Sequence, residues 1–310
     1  MDDIPETRYN PFPMSHMKPP QNNPLFRPPA EAESMILQVD QGCPYNRCTF
    51  CGMYRRIPYR RLPLPDIRLM VADEARQAPD TRRVFLADGD VMRRPFEELE
   101  TILILLNEHF PALARVNLYA TGSAIHSKTD AQLRTLRELK LHTLYLGLES
   151  GDETTLKAVK KGETAAEMIE AGRRAQANGL RVSVMILLGL GGQTRHREHA
   201  RATALALNAM QPRLLSALRV VPIPGTELHA EVESGRFLPL TELQTVEELR
   251  RIVESLDLTN TVFRANHSSN IIPLEARLPR DKNRLLAQLD ALLTSGHLDA
   301  QSPGDQPLWL

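Results

Sequence analysis

The chain has 310 residues, enough for one barrel-sized domain or two small ones, and its apolar fraction of 42% is ordinary for a globular protein. Acidic and basic residues balance at 38 each, so no global electric field draws the protein to nucleic acid or to a membrane surface. The amino terminus is acidic and has neither the positive nor the apolar region of an export signal. The longest apolar run, 182–190, is too short to span a bilayer.

The chain is predicted to have three parts. Residues 1–33 are rich in proline, with eight prolines in the first thirty positions, and predict an extended N-terminal arm. From residue 34 to residue 225 strands alternate with helices, and this part is the predicted core. Residues 226–310 are predicted to form a mostly helical C-terminal extension, with polar loops near 264–283, that closes the mouth of the core.

The predicted core contains six strand–helix units. The predicted strands cover 35–40, 83–87, 116–120, 143–149, 180–188 and 214–221. The predicted helices cover 65–77, a segment opened by Pro95, 129–139 with Thr129 as N-cap, 153–160, 164–178 and 195–210. Short connections between alternating strands and helices favour parallel strands with right-handed crossovers. We therefore predict an α/β fold, a partial (β/α)6 TIM-like barrel.

All three cysteines lie within nine positions, at Cys43, Cys48 and Cys51. No cysteine is left elsewhere to form a disulfide or to complete a four-thiolate site. Three thiolates on one short loop can bind three irons of a cubane cluster and leave the fourth iron without a protein ligand. An open coordination position suggests chemistry. Clustered thiols without an export signal also indicate a reducing cytoplasm.

Two other kinds of site could use these cysteines. A zinc ion could take the three thiolates and a distant histidine, although zinc ligands usually come as two separated pairs and no histidine lies in the loop. Cys48 and Cys51 could form a thioredoxin-like redox pair, although no helix start is evident after the loop. We favour the iron–sulfur cluster over both.

Polar or glycine-rich turns follow the predicted strands. They are the cysteine loop, Asp88-Gly89-Asp90, Thr121-Gly122-Ser123, Glu149-Ser150-Gly151 and Gly189-Leu190-Gly191-Gly192. In parallel α/β folds the carboxyl ends of the strands form the rim where ligands bind. Five such turns on one rim predict a binding site there.

These segments resemble the radical S-adenosylmethionine (SAM) superfamily, in particular the branch of oxygen-independent coproporphyrinogen oxidase and of the elongator and methylthiotransferase catalytic domains. The resemblance rests on the cysteines with Phe50, on 84–90, on 146–151 and on 185–194, and it covers roughly residues 35–225. It implies a [4Fe–4S] cluster on the three cysteines and SAM bound at the open iron. In this superfamily SAM is cleaved by one electron to a 5′-deoxyadenosyl radical, which abstracts hydrogen from a substrate.

The resemblance also implies roles for single residues. Asp88, Gly89 and Asp90 stand where the family has Gly-Gly-Glu, whose backbone and acid hold the SAM ammonium group. The other implied contacts are the ribose and methionine part for Glu149, the SAM carboxylate for Lys161, the ribose for Thr121 and Ser123, and the adenine for Gly189 and Leu190. Three features depart from the family: the C-x4-C-x2-C spacing, Met185 where the porphyrinogen oxidase branch has an aspartate, and Lys161 where relatives have an arginine.

Three further groups of residues need an interpretation. The arginines Arg55, Arg56, Arg60 and Arg61 are predicted to form a solvated surface, and we hypothesise that they dock an acidic flavodoxin- or ferredoxin-type electron donor. Arg264, Asn266, His267, Ser269 and Asn270 form either a plain polar loop or a loop that closes the barrel mouth and contacts substrate. His196 and His199 are predicted to be solvated first-turn residues of a helix.

The sequence predicts a cytoplasmic enzyme of the oxidoreductase or lyase type that acts on a small organic molecule. The absence of further cysteines predicts no auxiliary cluster, which disfavours methylthiotransferase activity. No cobalamin-binding segment precedes the barrel, which disfavours a cobalamin methyltransferase. Two alternatives stay open: an RNA-modifying radical SAM enzyme, which needs a basic surface leading to the barrel mouth, and a non-catalytic iron–sulfur carrier or scaffold.

Overall fold

A computed structural model describes residues 26–305. Most of the predicted proline-rich arm therefore lies outside the described residues. Its described end contains a short 3-10 helix, Pro29–Glu31. The carboxylate of Glu31 is buried and accepts hydrogen bonds from Asn117 Nδ2 (2.8 Å) and Tyr145 Oη (2.5 Å). This end of the arm is thus fixed to the sheet.

The described strands are β1 (Met35–Leu37), β2 (Asp40–Gln41), β3 (Arg60–Arg61), β4 (Arg83–Leu86), β5 (Arg115–Ala120), β6 (Leu141–Glu149), β7 (Arg181–Leu188), β8 (Leu214–Arg219), β9 (Thr261–Arg264) and β10 (Glu275–Leu278). Eight of them form one sheet, in the order β1-β4-β5-β6-β7-β8-β9-β10. Each strand in this order is parallel to the next except the last pair, which is antiparallel. The predicted α/β class and the predicted run of parallel strands are confirmed.

Helices lie between the parallel strands along the chain. The described helices are α1 (Leu64–Gln77), α2 (Phe96–His109), α3 (Gly122–His126), α4 (Asp130–Glu138), α5 (Glu153–Ala158), α6 (Ala165–Ala177), α7 (Gly192–Met210), α8 (Glu227–Glu233), α9 (Glu242–Ser255) and α10 (Lys282–Thr294). Thr129, Thr164 and Thr241 begin α4, α6 and α9 with complete capping boxes, so the predicted N-cap Thr129 is confirmed.

The two faces of the sheet differ. Side chains alternate between faces along a strand, and one face packs with the helices into a large apolar core. The other face carries a small separate cluster of Phe85, Ala87 and Tyr145, against which Ile36, Tyr119 and Met185 pack. The aromatic rings in this cluster meet edge to face, with centroids 5.1–6.0 Å apart. The side chains of this second face lie on the strands next to the rim of carboxyl ends that carries the predicted site.

Two predicted boundaries within the core differ from the structure by three residues, more than the others. The strand predicted at 35–40 ends at Leu37, and Asp40–Gln41 leaves the sheet to pair with Arg60–Arg61. The chain leaves the sheet here because the carboxylate of Asp40 accepts a hydrogen bond from a buried arginine of the next strand–helix unit. Helix α7 begins at Gly192, three residues earlier than expected.

The polar loops predicted near 264–283 are also wrong in part. This region contains β10, and β9 ends at its start. Strand β9 pairs with β8, so the sheet continues past the predicted boundary at residue 225. The two strands are short, and Arg264 and Glu275 stand opposite each other on the face away from the core. Because each strand is so short and carries such a charged residue, the sequence does not show a clear alternation of apolar and polar positions here. The division at 225 and 226 stays a prediction.

The prediction of solvated histidines on α7 is wrong for His199. Its side chain is fully buried (0% exposed), because α9 covers this part of α7. His196 is half-buried. None of the helices in residues 26–305 combines the length and apolar character that crossing a bilayer needs.

Candidate cofactor site at the carboxyl ends of the strands

The cysteine loop is a hairpin whose two ends are paired. Asp40 pairs with Arg61 and Gln41 with Arg60 in an antiparallel ribbon, and the cysteines lie between these ends. Cys43, Cys48 and Cys51 are all partly exposed free thiols. The loop follows β1 and the short strand β2 and therefore lies at the carboxyl rim of the parallel sheet, where the sequence predicted it.

A buried arginine holds both ends of this hairpin. The side chain of Arg94 is 1% exposed and donates to the backbone oxygens of Val39 (2.6 Å) and Leu62 (2.9 Å). It also donates to Asp40 Oδ1 (2.8 Å) and Glu98 Oε2 (2.7 Å). Arg94 thus ties the residues before and after the cysteines to α2. Sequence reasoning missed it, although an aspartate at the end of an apolar strand was a signal that a cation lay nearby.

The turn at residues 88–90 lies directly against the first cysteine. The Gly89 amide donates to the Gly42 oxygen (3.1 Å), and a Cβ atom on Gly89 would lie 2.6 Å from Cys43 Cβ and 2.8 Å from its Cα. Only glycine permits this approach. Asp88 has a φ of 84°, a conformation that favours glycine, and its carboxylate accepts from Gln38 Nε2 (2.7 Å). Burial raises the pKa of Asp88.

Asp90 connects this turn to the one that follows β5. Its carboxylate accepts from Thr121 Oγ1 (2.7 Å), from the Thr121 amide (3.2 Å) and from Arg93 Nε (3.3 Å). Arg93 also donates to Ser123 Oγ (2.8 Å). Burial raises the pKa of Asp90, and these hydrogen bonds oppose the increase. The structure therefore brings Asp90, Thr121 and Ser123 together. Glu163, which sequence reasoning missed, accepts from the Ser123 amide (2.6 Å).

Glu149 and Lys161 form an ion pair beside the cysteines. Lys161 Nζ lies 3.0 Å from Glu149 Oε1, and each side chain is 12% exposed. Although burial opposes it, the Glu149 carboxylate and Cys48 raise the pKa of Lys161. Burial raises the pKa of Cys48 to about 12, while the Lys161 cation acts in the opposite direction. Glu149 has a φ of 60°, so two of the predicted SAM contacts, this residue and Asp88, carry backbone strain.

The donor set fits an iron–sulfur cluster. Among residues 26–305, no three His, Cys, Asp or Glu side chains come together as ligands of one metal ion. A cubane cluster does not need them to, since each thiolate binds its own iron. Burial raises the pKa values of Cys48 and Cys51 and so favours the protonated thiols. Metal binding must therefore release these protons. The nearby Lys161 cation favours the thiolate form.

The glycine loop follows β7 on the same rim. Gly189 has a φ of 81°, and its amide donates to Glu248 Oε1 of α9 (2.6 Å). Leu190 is buried beside it. Phe50 is partly exposed in the cysteine loop, next to Thr49, whose backbone pairs with Val159.

The loop after β9 lies at the rim as well, because β9 is parallel to β8. Ser269 is buried, and its Oγ accepts from the Arg219 amide (3.2 Å). Asn270 Nδ2 donates to the Ala217 oxygen (2.8 Å). Both side chains thus fasten the loop to the end of β8.

The other side chains of this loop have looser contacts. Asn266 Nδ2 donates to Glu275 Oε1 (2.8 Å), and Arg264 Nε lies 3.7 Å from the same carboxylate oxygen. His267 Nδ1 lies 2.9 Å from Ser269 Oγ, and burial lowers the pKa of His267. Arg264 Nε is buried with no hydrogen-bond partner among the described residues.

A sequence profile of the radical SAM superfamily matches residues 37–203, more than half of the chain. The chain belongs to the radical SAM superfamily. Members of this superfamily use a [4Fe–4S] cluster and SAM, which confirms the cofactors that the resemblance implied.

Two curated relatives share 26% identity with the chain. Hopanoid C-2 methylase of Rhodopseudomonas palustris matches over 162 residues, 51% of this chain and 30% of that protein. An uncharacterized methyltransferase of Pyrococcus horikoshii matches over 110 residues, 36% of this chain and 24% of that protein. The matched region thus spans less than a third of either relative.

Solved structures share the fold. Coproporphyrinogen III oxidase (HemN) from Escherichia coli, a radical SAM enzyme, has a TM-score of 0.57 at 15% identity and covers 72% of this chain and 52% of its own. Methylornithine synthase (PylB) has a TM-score of 0.51 at 19% identity and covers 73% of this chain and 63% of its own. The predicted partial TIM-like barrel is confirmed.

Proposed function

We propose that this protein is a radical SAM enzyme that abstracts hydrogen from a small organic substrate. One observation carries the proposal: the three-cysteine hairpin packs against Gly89 and beside Lys161, at the rim of a parallel sheet. When bound, the [4Fe–4S] cluster supplies the electron that cleaves SAM into methionine and a 5′-deoxyadenosyl radical. The residues of the chain bind and orient the two cofactors.

Each group of rim residues has a proposed role. Cys43, Cys48 and Cys51 hold the cluster. The proposed SAM contacts are Phe50, Asp88, Gly89, Asp90, Thr121, Ser123, Glu149, Lys161, Gly189 and Leu190. Asp90 acts mainly by orienting Thr121, since its carboxylate already accepts two hydrogen bonds from that residue. Lys161 offers the SAM carboxylate a cation that Glu149 holds in place.

A small substrate is favoured by the face of the sheet below the rim. Tyr119 and Met185 are partly exposed there, above the apolar cluster of Phe85 and Tyr145. Small-molecule sites are concave and largely apolar, with a few polar groups. Arg264, Asn266, His267, Ser269 and Asn270 are proposed to close this space, because their loop lies at the same rim.

Methyl transfer is a second candidate reaction. Both curated relatives are named as a methylase or a methyltransferase. SAM with a deuterated methyl group distinguishes the two reactions: methyl transfer places three deuterons in the product, whereas hydrogen abstraction leaves the label in methionine.

The arginines of the cysteine hairpin are proposed to dock an acidic flavodoxin- or ferredoxin-type donor. Arg55, Arg56, Arg60 and Arg61 are all exposed, and no acidic residue lies between Cys43 and Arg61. A basic surface on the loop that carries the cluster steers an acidic partner to the point where the electron enters. Cysteines that must stay reduced also favour a cytoplasmic location.

The test is anaerobic reconstitution, reduction and addition of SAM, with 5′-deoxyadenosine and methionine measured by mass spectrometry. The proposal expects both products from the wild-type protein and neither from Cys48→Ala. A protein that binds the cluster and SAM but releases no 5′-deoxyadenosine would be a carrier or scaffold, and the proposal would fail. Comparing metabolites and tRNA nucleosides of a deletion strain with its parent then decides between a small substrate and RNA.

A further inference from the structure

Three buried polar side chains lie between helix α9 and two turns of the rim. Ser150, His199 and Glu248 are each 0% exposed. They come from the end of β6, from α7 and from α9, and they lie beneath residues 149 and 189, both proposed to contact SAM. Buried polar groups at such a position need a physical account, because each is costly to bury unless it is satisfied.

The three side chains lie in a row, with one gap in their hydrogen bonds between His199 and Glu248. Ser150 Oγ accepts from the Asp152 amide (2.9 Å) and lies 2.7 Å from His199 Nδ1. His199 Nε2 lies 3.7 Å from Glu248 Oε1, which accepts from the Gly189 amide at 2.6 Å. His199 Nε2 and Glu248 Oε2 have no hydrogen-bond partner among the described residues. A shift of less than about 1 Å that brought Glu248 Oε1 closer to His199 Nε2 would make this contact a hydrogen bond. Glu248 would then be linked to Ser150 through His199.

We propose that Glu248 and His199 are positioning residues for SAM, whose buried side chains hold the Gly189 loop and the turn after β6 in register. This inference rests on the proposed function. The carboxyl oxygen fixes the amide of a glycine in a left-handed conformation. His199, which contacts Ser150, lies beside the same carboxyl oxygen. The C-terminal segment thereby sets the shape of the adenine side of the site.

The charge state of the pair follows from its surroundings. Burial raises the pKa of Glu248 to about 8, with the Gly189 amide and Arg251 acting against the increase. Burial lowers the pKa of His199 to about 4. The charged and titratable groups around the pair are Arg251 on α9, His196 on α7 and Asp152 after β6. At neutral pH both members are therefore uncharged, and ionising Glu248 at higher pH places an unpaired charge under the loop.

The test compares Glu248→Gln with Glu248→Leu in the cluster-loaded, full-length protein. Glutamine keeps the acceptor for the Gly189 amide and places a permanent donor where the acid has its proton, whereas leucine leaves the amide unpaired. SAM affinity is measured by equilibrium dialysis from about pH 6.5 to about pH 9, a range that spans the ionisation of Glu248. Hydrogen exchange of the peptide that contains residues 187–192 is measured without SAM.

The expected results separate positioning from a merely structural role. Glu248→Leu should speed exchange in residues 187–192 and weaken SAM binding about tenfold or more, which corresponds to about 1.4 kcal/mol. Glu248→Gln should match the wild type at neutral pH and should not share its loss of affinity above about pH 8, because the amide does not ionise. His199→Gln should weaken SAM binding less than Glu248→Leu.

Two outcomes overturn the inference: wild-type exchange in Glu248→Leu, or the same loss of affinity at high pH in Glu248→Gln as in the wild type. If the wild-type protein binds no SAM at all, the proposed function fails. The exchange comparison, which needs no SAM, then decides by itself whether Glu248 holds the Gly189 loop.

Discussion

Replacing Arg94 by methionine is expected to destabilise the protein and to prevent cluster binding. The substitution keeps the apolar stem but removes four hydrogen bonds, to Val39, Asp40, Leu62 and Glu98. It leaves the carboxyl group of Asp40, which is 0% exposed, without its cation. Removing one partner of a buried pair costs about 3–5 kcal/mol. We expect a decrease of that size in the free energy of unfolding.

The effect of Arg94→Met should depend on pH. In the wild type, burial raises the pKa of Asp40 to about 6 although Arg94 opposes the increase. Without Arg94 this pKa rises further, so the folded variant binds a proton that the wild type has released above about pH 6. The difference in stability between the wild type and the variant should therefore widen as the pH rises from about 6 to about 8.

Urea unfolding of the cluster-free protein measures the stability, and iron content after anaerobic reconstitution measures the cluster. The matched control is Arg76→Met, which removes an exposed ion pair with Asp73 at 2.8 Å and should cost no more than about 1 kcal/mol. The double variant Arg94→Met/Asp40→Asn should recover part of the stability but no iron, because the Val39 and Leu62 oxygens still lack their donor and the ends of the hairpin stay unfastened. Arg94→Met with the stability and iron content of the wild type would refute the reasoning.

Three further predictions concern the rim. Gly89→Ala should abolish iron binding, because the new Cβ would lie 2.6 Å from Cys43 Cβ. The control is Gly235→Ala, where a Cβ meets nothing within 4 Å. This control should bind iron and lose only about 1 kcal/mol of unfolding free energy, because Gly235 has a positive φ. Lys161→Met should weaken SAM binding about tenfold or more while the cluster is retained, and Lys161→Arg should keep most of the wild-type affinity. SAM affinity is measured by dialysis. Equal affinities in the wild type and both variants would show that Lys161 is not part of the site. Charge reversal of the exposed Arg55 to glutamate should slow reduction by flavodoxin at low salt but leave reduction by dithionite unchanged, and an unchanged flavodoxin rate would end the docking hypothesis.

The sequence predicted most of the rim because its signals are local. The predicted strands are apolar runs that end at polar or glycine-rich turns, and parallel strands bring such turns together at one edge. Gly89 and Cys43 are 46 positions apart in the sequence, yet their contact follows once β1 and β4 pair. Periodicity and turn chemistry were sufficient for this part.

The features that the sequence did not predict depend on long-range contacts. His199 lies in a polar stretch of α7, and only the packing of α9 buries it. Arg94 follows an arginine that is exposed, and nothing in the local pattern tells the two apart. Strands β9 and β10 are each four residues long, and their existence depends on pairing with β8 and with each other. Tertiary context decides all three.

The central proposal is a [4Fe–4S] cluster on the three cysteines, with its fourth iron open to SAM. Mössbauer spectroscopy of anaerobically reconstituted, ⁵⁷Fe-labelled protein, with and without SAM, tests this claim most directly, together with iron and sulfide analysis. The account predicts about four irons and four sulfides per chain, with one iron site that changes its parameters when SAM is added. A protein with about one metal ion per chain, or a full cluster whose irons all stay unchanged by SAM, would contradict it.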